Sequence, residues 1–363
     1  MSTITKPMLL DETGQKILEA INKQNQILKG ISAGGSNSGL TDEDAVSWAD
    51  IQKAVQEGKA ASMFDIGDQI VVNWTNNDNE SYYKMPFDVV HFGNVKLEDG
   101  STVHGMYLQS HYMPAAIIPF DAAEGSYVMP GMTYESGFYY YASGADGRRL
   151  FVEGVDYNVG DVVPSGSFSL VRTSIRDESC EITSSGYNKW SDSAIRQYFN
   201  SDVTDSGWWT PQHEGDVGPS NMPSMGYGAQ SGFLSGFEDD FLNCIKKVQV
   251  CTVIDGDVDI TYDKFFIPSL EQMNVESDVS GEGEAFEYWR LATDNQGAIS
   301  RGDGHDAYIS YRISKKSVPA GHFFRSVCPG TKHQIFVTTA DGGISEATAS
   351  ATAYGYLPVC VIC

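Results

Sequence analysis

Apolar and polar positions along this chain change period twice, and those changes divide it. Over residues 9–31, Leu10, Ile17, Ile21, Leu28 and Ile31 fit alternating four- and three-residue steps, with Gly14 and Gln24 filling the missing seam positions. Asp11 and Glu12 fall in the first turn, where they complement the helix dipole, and Gly30 ends the helix. A single helix with such a seam is marginal in water. It therefore packs against copies of itself, docks on a partner, or folds back on its own domain. The Gly/Ser-rich run Ser32–Gly39 has no apolar anchor and reads as a flexible linker, which favours the intermolecular alternatives. A second helical pattern follows, with Thr41 as its cap, Asp42, Glu43 and Asp44 in its first turn, Trp48, Ile51 and Val55 on one face, and Gly58 at its end.

From Phe64 the period becomes two. Strands are expected over 68–74 and 87–92, with Glu98-Asp99-Gly100-Ser101 as a hairpin turn. Three more strands, at 137–142, 149–153 and 167–171, are separated by turn-rich segments and read as an inserted β subdomain over 124–172. Helices are expected over 190–200 and 237–247, and strands over 248–254 and 260–267.

Composition agrees with a loop-rich β protein: 41% hydrophobic and 12% aromatic, with 37 Gly and 19 Tyr among 363 residues. The net charge of −24 sets the chain against phosphate backbones and excludes nucleic acid as an expected partner. No 18-residue apolar run exists, and Met8-Leu9-Leu10 is too short for a signal-peptide core, so neither membrane insertion nor export is expected. The six cysteines are then expected to be reduced.

Tests for chemistry return little. There is no P-loop, no nucleophile elbow and no zinc-protease helix. Cys360 and Cys363 form a C-x-x-C that reads as a zinc or redox pair or as two small buried hydrophobes; no second C-x-x-C accompanies it. Asp255-Gly256-Asp257-Val258-Asp259 begins like a calcium loop, but Ile260 stands where Gly is needed and Phe266 where Glu is needed, so an acidic surface turn is the default. No catalytic residue, metal ligand or cofactor is assigned. The paired aromatics Trp208-Trp209 and Tyr288-Trp289 are candidate stacking faces for a sugar or peptide, or core. Arg196 and Arg325, set among apolar residues, read as partly buried structural clamps that need carboxylate or carbonyl partners.

Five landmarks recur in order: Trp190/Ser193/Ile195/Arg196, Asp263/Phe266/Ser269/Glu271, Phe323/Phe324/Arg325/Ser326, Asp341/Gly342 and Gly355/Tyr356/Leu357/Pro358. With the strand 85–90 they resemble, over 64–363, a bacterial and phage domain family catalogued as a domain of unknown function, with a C-type-lectin-like fold. Two Phe stand where that family has two Trp, Pro is displaced to position 329, and Leu357 replaces an Arg. The segment 8–14, with Trp48-Ala49-Asp50-Ile51-Gln52 and Phe64–Asp68, resembles proteins encoded among virion genes of gut-bacterial phages.

The resemblance implies an α+β chain. An attachment or oligomerisation helix over 1–31, forming a short trimeric coiled coil, is followed by a linker over 32–40 and a connecting helix over 41–62. A C-type-lectin-like β-rich domain over 63–363 carries the insertion, with Trp190, Arg196, Phe324 and Arg325 as scaffold. It also implies a homotrimeric virion protein, a head fibre, decoration protein or tail adhesin. Such a protein is held to other capsid or tail proteins by its N-terminal helix and binds host-surface glycan or protein through the loops 201–235 and 275–322 and the insertion. A virion polysaccharide hydrolase and a decoration protein without ligand are the alternatives.

Overall fold

A computed structural model describes residues 46–75, 82–114, 118–121, 186–204, 206–210, 231–293, 298–301 and 320–363. It also describes four short strands between 126 and 173, and residues 158, 160–162 and 212. The seam helix, with Leu10, Ile17, Ile21, Leu28 and Ile31, and the linker lie outside the described residues.

The connecting helix α1 (Trp48–Gln56) starts later than the pattern suggests. Its cap is Ser47, not Thr41. Ser47 Oγ accepts from Asp50 N at 3.2 Å and Asp50 Oδ2 accepts from Ser47 N at 3.2 Å, a reciprocal box that Thr41 could not make with this first turn. Trp48, Ile51 and Val55 are buried, and Glu57 closes the helix before Gly58, whose φ is +69°.

The strands β1 (Gln69–Thr75), β2 (Tyr82–Lys96) and β3 (Thr102–Ser110) form an antiparallel meander. Along β1 the buried residues alternate, with Ile70, Val72 and Trp74 inward, the period expected of a half-buried strand. The turn between β2 and β3 closes by Leu97 N donating to Ser101 O at 2.8 Å, with Gly100 at φ +84°. A register shift between Val89 and His91 marks a bulge in β2.

Four short strands, β4 (Ser126–Val128), β5 (Phe138–Tyr141), β6 (Leu150–Val152) and β7 (Leu170–Thr173), make their own sheet in the order β4-β7-β5-β6. Three correspond to strands expected in the insertion; β4 was not expected.

The helix expected over 190–200 is split. Trp190–Asp192 is a 3-10 turn, and α2 (Ala194–Phe199) begins afresh because Ser193 is extended at ψ 145° and caps it. Ser193 Oγ accepts from Arg196 N at 3.3 Å and donates to Trp190 O at 2.9 Å. The helix expected over 237–247 is shorter, α3 (Asp239–Cys244), since Ile245 turns extended to bridge Ile362.

β8 (Val248–Ile254) matches its expected bounds, and it pairs with β9 (Asp257–Asp263) through the two-residue turn Asp255-Gly256. Both turn residues have positive φ, +50° and +91°, the hairpin geometry that Asp-Gly favours; the segment read against a calcium loop is this hairpin tip. The strand expected over 260–267 breaks at Lys264, whose N–H donates to Asn200 Oδ1 at 2.7 Å, leaving β10 (Phe265–Phe266) separate.

After α4 (Glu287–Ala292) come β11 (Phe323–Val327), β12 (Gln334–Thr338), β13 (Ile344–Thr348) and β14 (Val359–Ile362). β11, β12 and β13 form an antiparallel sheet, and Gly342 takes φ +84° in the β12–β13 turn. β14 lies between β3 and β10 in the five-stranded antiparallel sheet β1-β2-β3-β14-β10, and all four of its residues are buried, as a strand covered on both faces requires. The described architecture is α+β and mostly β.

One core joins these layers. Phe233 makes edge contacts with Phe199, Phe237 and Phe265 at 5.0–5.1 Å between centroids, and Phe237 stacks on Phe265 at 5.3 Å. Trp48 packs on Phe241 at 4.8 Å, which fastens α1 to α3.

Candidate functional site

The landmarks of the sequence are inside. Asp263 is fully buried; its Oδ1 accepts from Arg196 Nε at 2.8 Å and its Oδ2 from Trp190 Nε1 at 2.9 Å, while Thr261 Oγ1 donates to the same carboxylate. Arg196 Nη1 also donates to Ser191 O at 3.0 Å, so the arginine ties the 3-10 turn and α2 to the end of β9. Phe324 and Phe323 are fully buried in β11.

Arg325 is fully buried and engages every donor it has. Nε and Nη2 donate to Cys251 O at 3.2 and 3.1 Å, and Nη1 to Ile267 O at 2.6 Å and Gln272 Oε1 at 3.1 Å. Nη2 also donates to Glu282 O at 2.8 Å. The Glu282 carboxylate accepts from Val253 N at 3.1 Å and from Ser326 Oγ. Burial raises the Glu282 pKa, opposed by the nearby Arg325 charge and these two hydrogen bonds.

The candidate aromatics divide unequally. Trp208 is buried against Tyr198 at 5.5 Å, and Trp289 is fully buried with its Nε1 donating to Gln109 Oε1 at 2.8 Å. Neither offers a stacking face to a ligand, because burial in the core uses both faces. Trp209 and Tyr288 are half-buried against the same core. Cys360 and Cys363 are also buried; burial pushes the Cys363 thiol up to about 11 and the Cys360 thiol well above its ordinary value, opposite to the shift a metal-binding or reactive thiolate needs. Among the described residues no group of three His, Cys, Asp or Glu could hold a metal ion. Of the loops expected to carry binding, residues 205, 211, 213–230, 294–297 and 302–319 lie outside the described residues, as does most of the insertion.

A pocket of about 230 Å³ opens above the Arg325 network. Arg325, Gln272 and Glu282 form its floor, and His91, Tyr107 and Phe286 line its walls. Asn94, Gln249 and the exposed Glu284 stand around it. The bulge before His91 sets the side chain's direction, and the cross-strand pair His91–Tyr107 brings two rings to 5.3 Å. Phe286 lies 5.8 Å from the His91 ring and 5.3 Å from Tyr107. At Gly93 a Cβ would come within 2.8 Å of His91 Nε2, so a larger residue there would displace the ring. Burial lowers the His91 pKa, opposed by Glu284, whose carboxylate is 3.8 Å from Nε2.

No residue on these walls was singled out individually from the sequence, although Glu284 and Phe286 fall within the 275–322 loop expected to carry binding. The one local signal is Gly281-Glu282-Gly283-Glu284, where φ values of +105° and +139° at the glycines bend the chain across the pocket.

Neither curated proteins nor solved structures yield a match to the chain. A family model described as a domain of unknown function, DUF6273, matches residues 165–363, more than half of the chain and the part that supplies the buried landmarks and the pocket floor, and the chain belongs to that family.

Proposed function

We propose that the chain is a structural protein of a phage virion, displayed on the particle as a head fibre, decoration protein or tail adhesin. Its folded domain is of the C-type-lectin-like kind and binds a host-surface glycan or protein. The observation that carries this reading is that the polar landmarks are consumed as scaffold. Arg196, Asp263 and Arg325 spend their hydrogen bonds inside the protein, which leaves surface segments free to vary around a fixed core. The upstream residues supply the rest: a seam at Leu10, Ile17, Ile21, Leu28 and Ile31 for a homotrimer attached to other virion proteins, and a Gly/Ser linker for reach. Three copies on one particle turn weak contacts into avidity.

The test is mass spectrometry of purified particles together with light scattering of the full chain. The protein is expected in the particles and at trimeric mass, and Ile17→Asp with Ile21→Asp is expected to yield monomer. Its absence from purified particles overturns the reading. An end-labelled host glycan retained intact supports an adhesin; shortening of that glycan identifies a hydrolase instead.

A further inference from the structure

Polar side chains converge on the pocket without being spent on the fold. His91 Nδ1 is buried and has no hydrogen-bond partner among the described residues. The Tyr107 hydroxyl and the side-chain amides of Asn94 and Gln249 likewise bond no described residue. Glu284, exposed at the mouth, forms no hydrogen bond with a described residue and approaches His91 Nε2 at 3.8 Å. Unpaired donors and acceptors around an aromatic wall are the usual composition of a small-molecule site, where a few polar groups fix orientation.

We propose that this pocket binds one neutral sugar ring, with Tyr107, Asn94, Gln249 and Glu284 bonding its hydroxyls and the Tyr107 and Phe286 rings forming the apolar wall. The chemistry narrows the ligand from three sides. Amides and a carboxylate match neighbouring hydroxyls, which both donate and accept. Among the described lining residues the one cation is Arg325, whose five donors are engaged below, and Glu282 and Glu284 disfavour an anionic ligand. The volume of about 230 Å³ lies below the roughly 300–1,000 Å³ of pockets for drug-sized ligands, so the pocket admits one ring and not a chain. Burial favours a neutral His91 at physiological pH, which keeps a positive charge off this wall.

As a host glycan site this deepens, and rests on, the surface-display reading, but the binding is tested on the full chain in solution. The probes are the methyl glycosides of galactose and glucose, and N-acetylglucosamine, followed by ligand-observed NMR. N-acetylneuraminic acid is the anionic control and tetramethylammonium the cationic one. At least one neutral ring is expected to bind with a millimolar Kd, and Tyr107→Phe and Glu284→Gln each to weaken it about 5- to 10-fold with unchanged Tm. Three outcomes overturn the proposal: no neutral ring binding at millimolar concentration, tighter binding of either control, or full affinity in both variants. Ring binding by a protein absent from particles would defeat only the display reading, and a particle protein without ring binding would defeat only this one.

Discussion

The floor of the pocket and its walls are built from similar polar side chains and differ in what those side chains are bonded to. On the floor, Arg325 makes five hydrogen bonds and the Glu282 carboxylate accepts two. On the walls, the Tyr107 hydroxyl, the Asn94 and Gln249 amides and His91 Nδ1 make none with described residues. A buried polar group is tolerated when its partners come from the fold, and the Arg325 cluster satisfies that condition with backbone carbonyls from β8, the end of β10 and the 281–286 segment. The same reasoning makes the floor a fastening between elements and leaves the walls open to a partner from outside.

Substitutions sharpen this contrast, beginning on the floor. Arg325→Met should be the most damaging. It leaves the carbonyls of Cys251, Ile267 and Glu282 without donors in the interior, an expected loss of about 3–5 kcal/mol in urea unfolding. Arg196→Ala should come next, about 2–3 kcal/mol. Asp263 would remain buried with Trp190 and Thr261 as donors but without its cation, and the arginine is only partly buried at the start. A stability loss much below 1 kcal/mol in either variant would break the distinction between fastening and site.

A smaller effect should appear as a slope. Burial raises the Glu282 pKa in the folded state, so the stability this group contributes is complete below its unfolded pKa near 4.5 and is lost as pH rises through the raised value. Glu282→Gln keeps the shape and carries no charge at any pH. Its stability relative to the wild-type protein should therefore increase as pH rises past 4.5, and a flat difference would show that the charge is compensated. The smallest effect belongs to the wall. Tyr107→Phe removes a hydroxyl with no partner among the described residues and should change stability by less than about 0.5 kcal/mol while weakening ring binding. A larger loss of stability would move Tyr107 from site to scaffold.

Much of the framework was legible because its causes are local. Alternation placed β1 and β8, and Asp99-Gly100 marked a turn that the structure closes with positive φ at the glycine. The errors were also local in origin. Thr41 was a plausible cap, but Ser47 had the reciprocal partner Asp50; residues 190–200 have helical spacing, but Ser193 could cap a new helix by leaving helical geometry. Trp208 and Trp289 were candidates for display because adjacent aromatics do not reveal which face the core will take.

What the sequence by itself determined was the place of β1 and β8, the turn at Asp99-Gly100, and that Arg196 and Arg325 would need partners. What only the tertiary structure decided was which carboxylate and which carbonyls those arginines would find, and that His91, Tyr107, Gln249 and Glu284 would face one pocket. Local rules act over a few residues, through dihedral preference and periodicity, whereas this pocket joins β2, β3, β8 and the 281–286 segment, distant in sequence and brought together only when the sheet and hairpin pack around the Arg325 network.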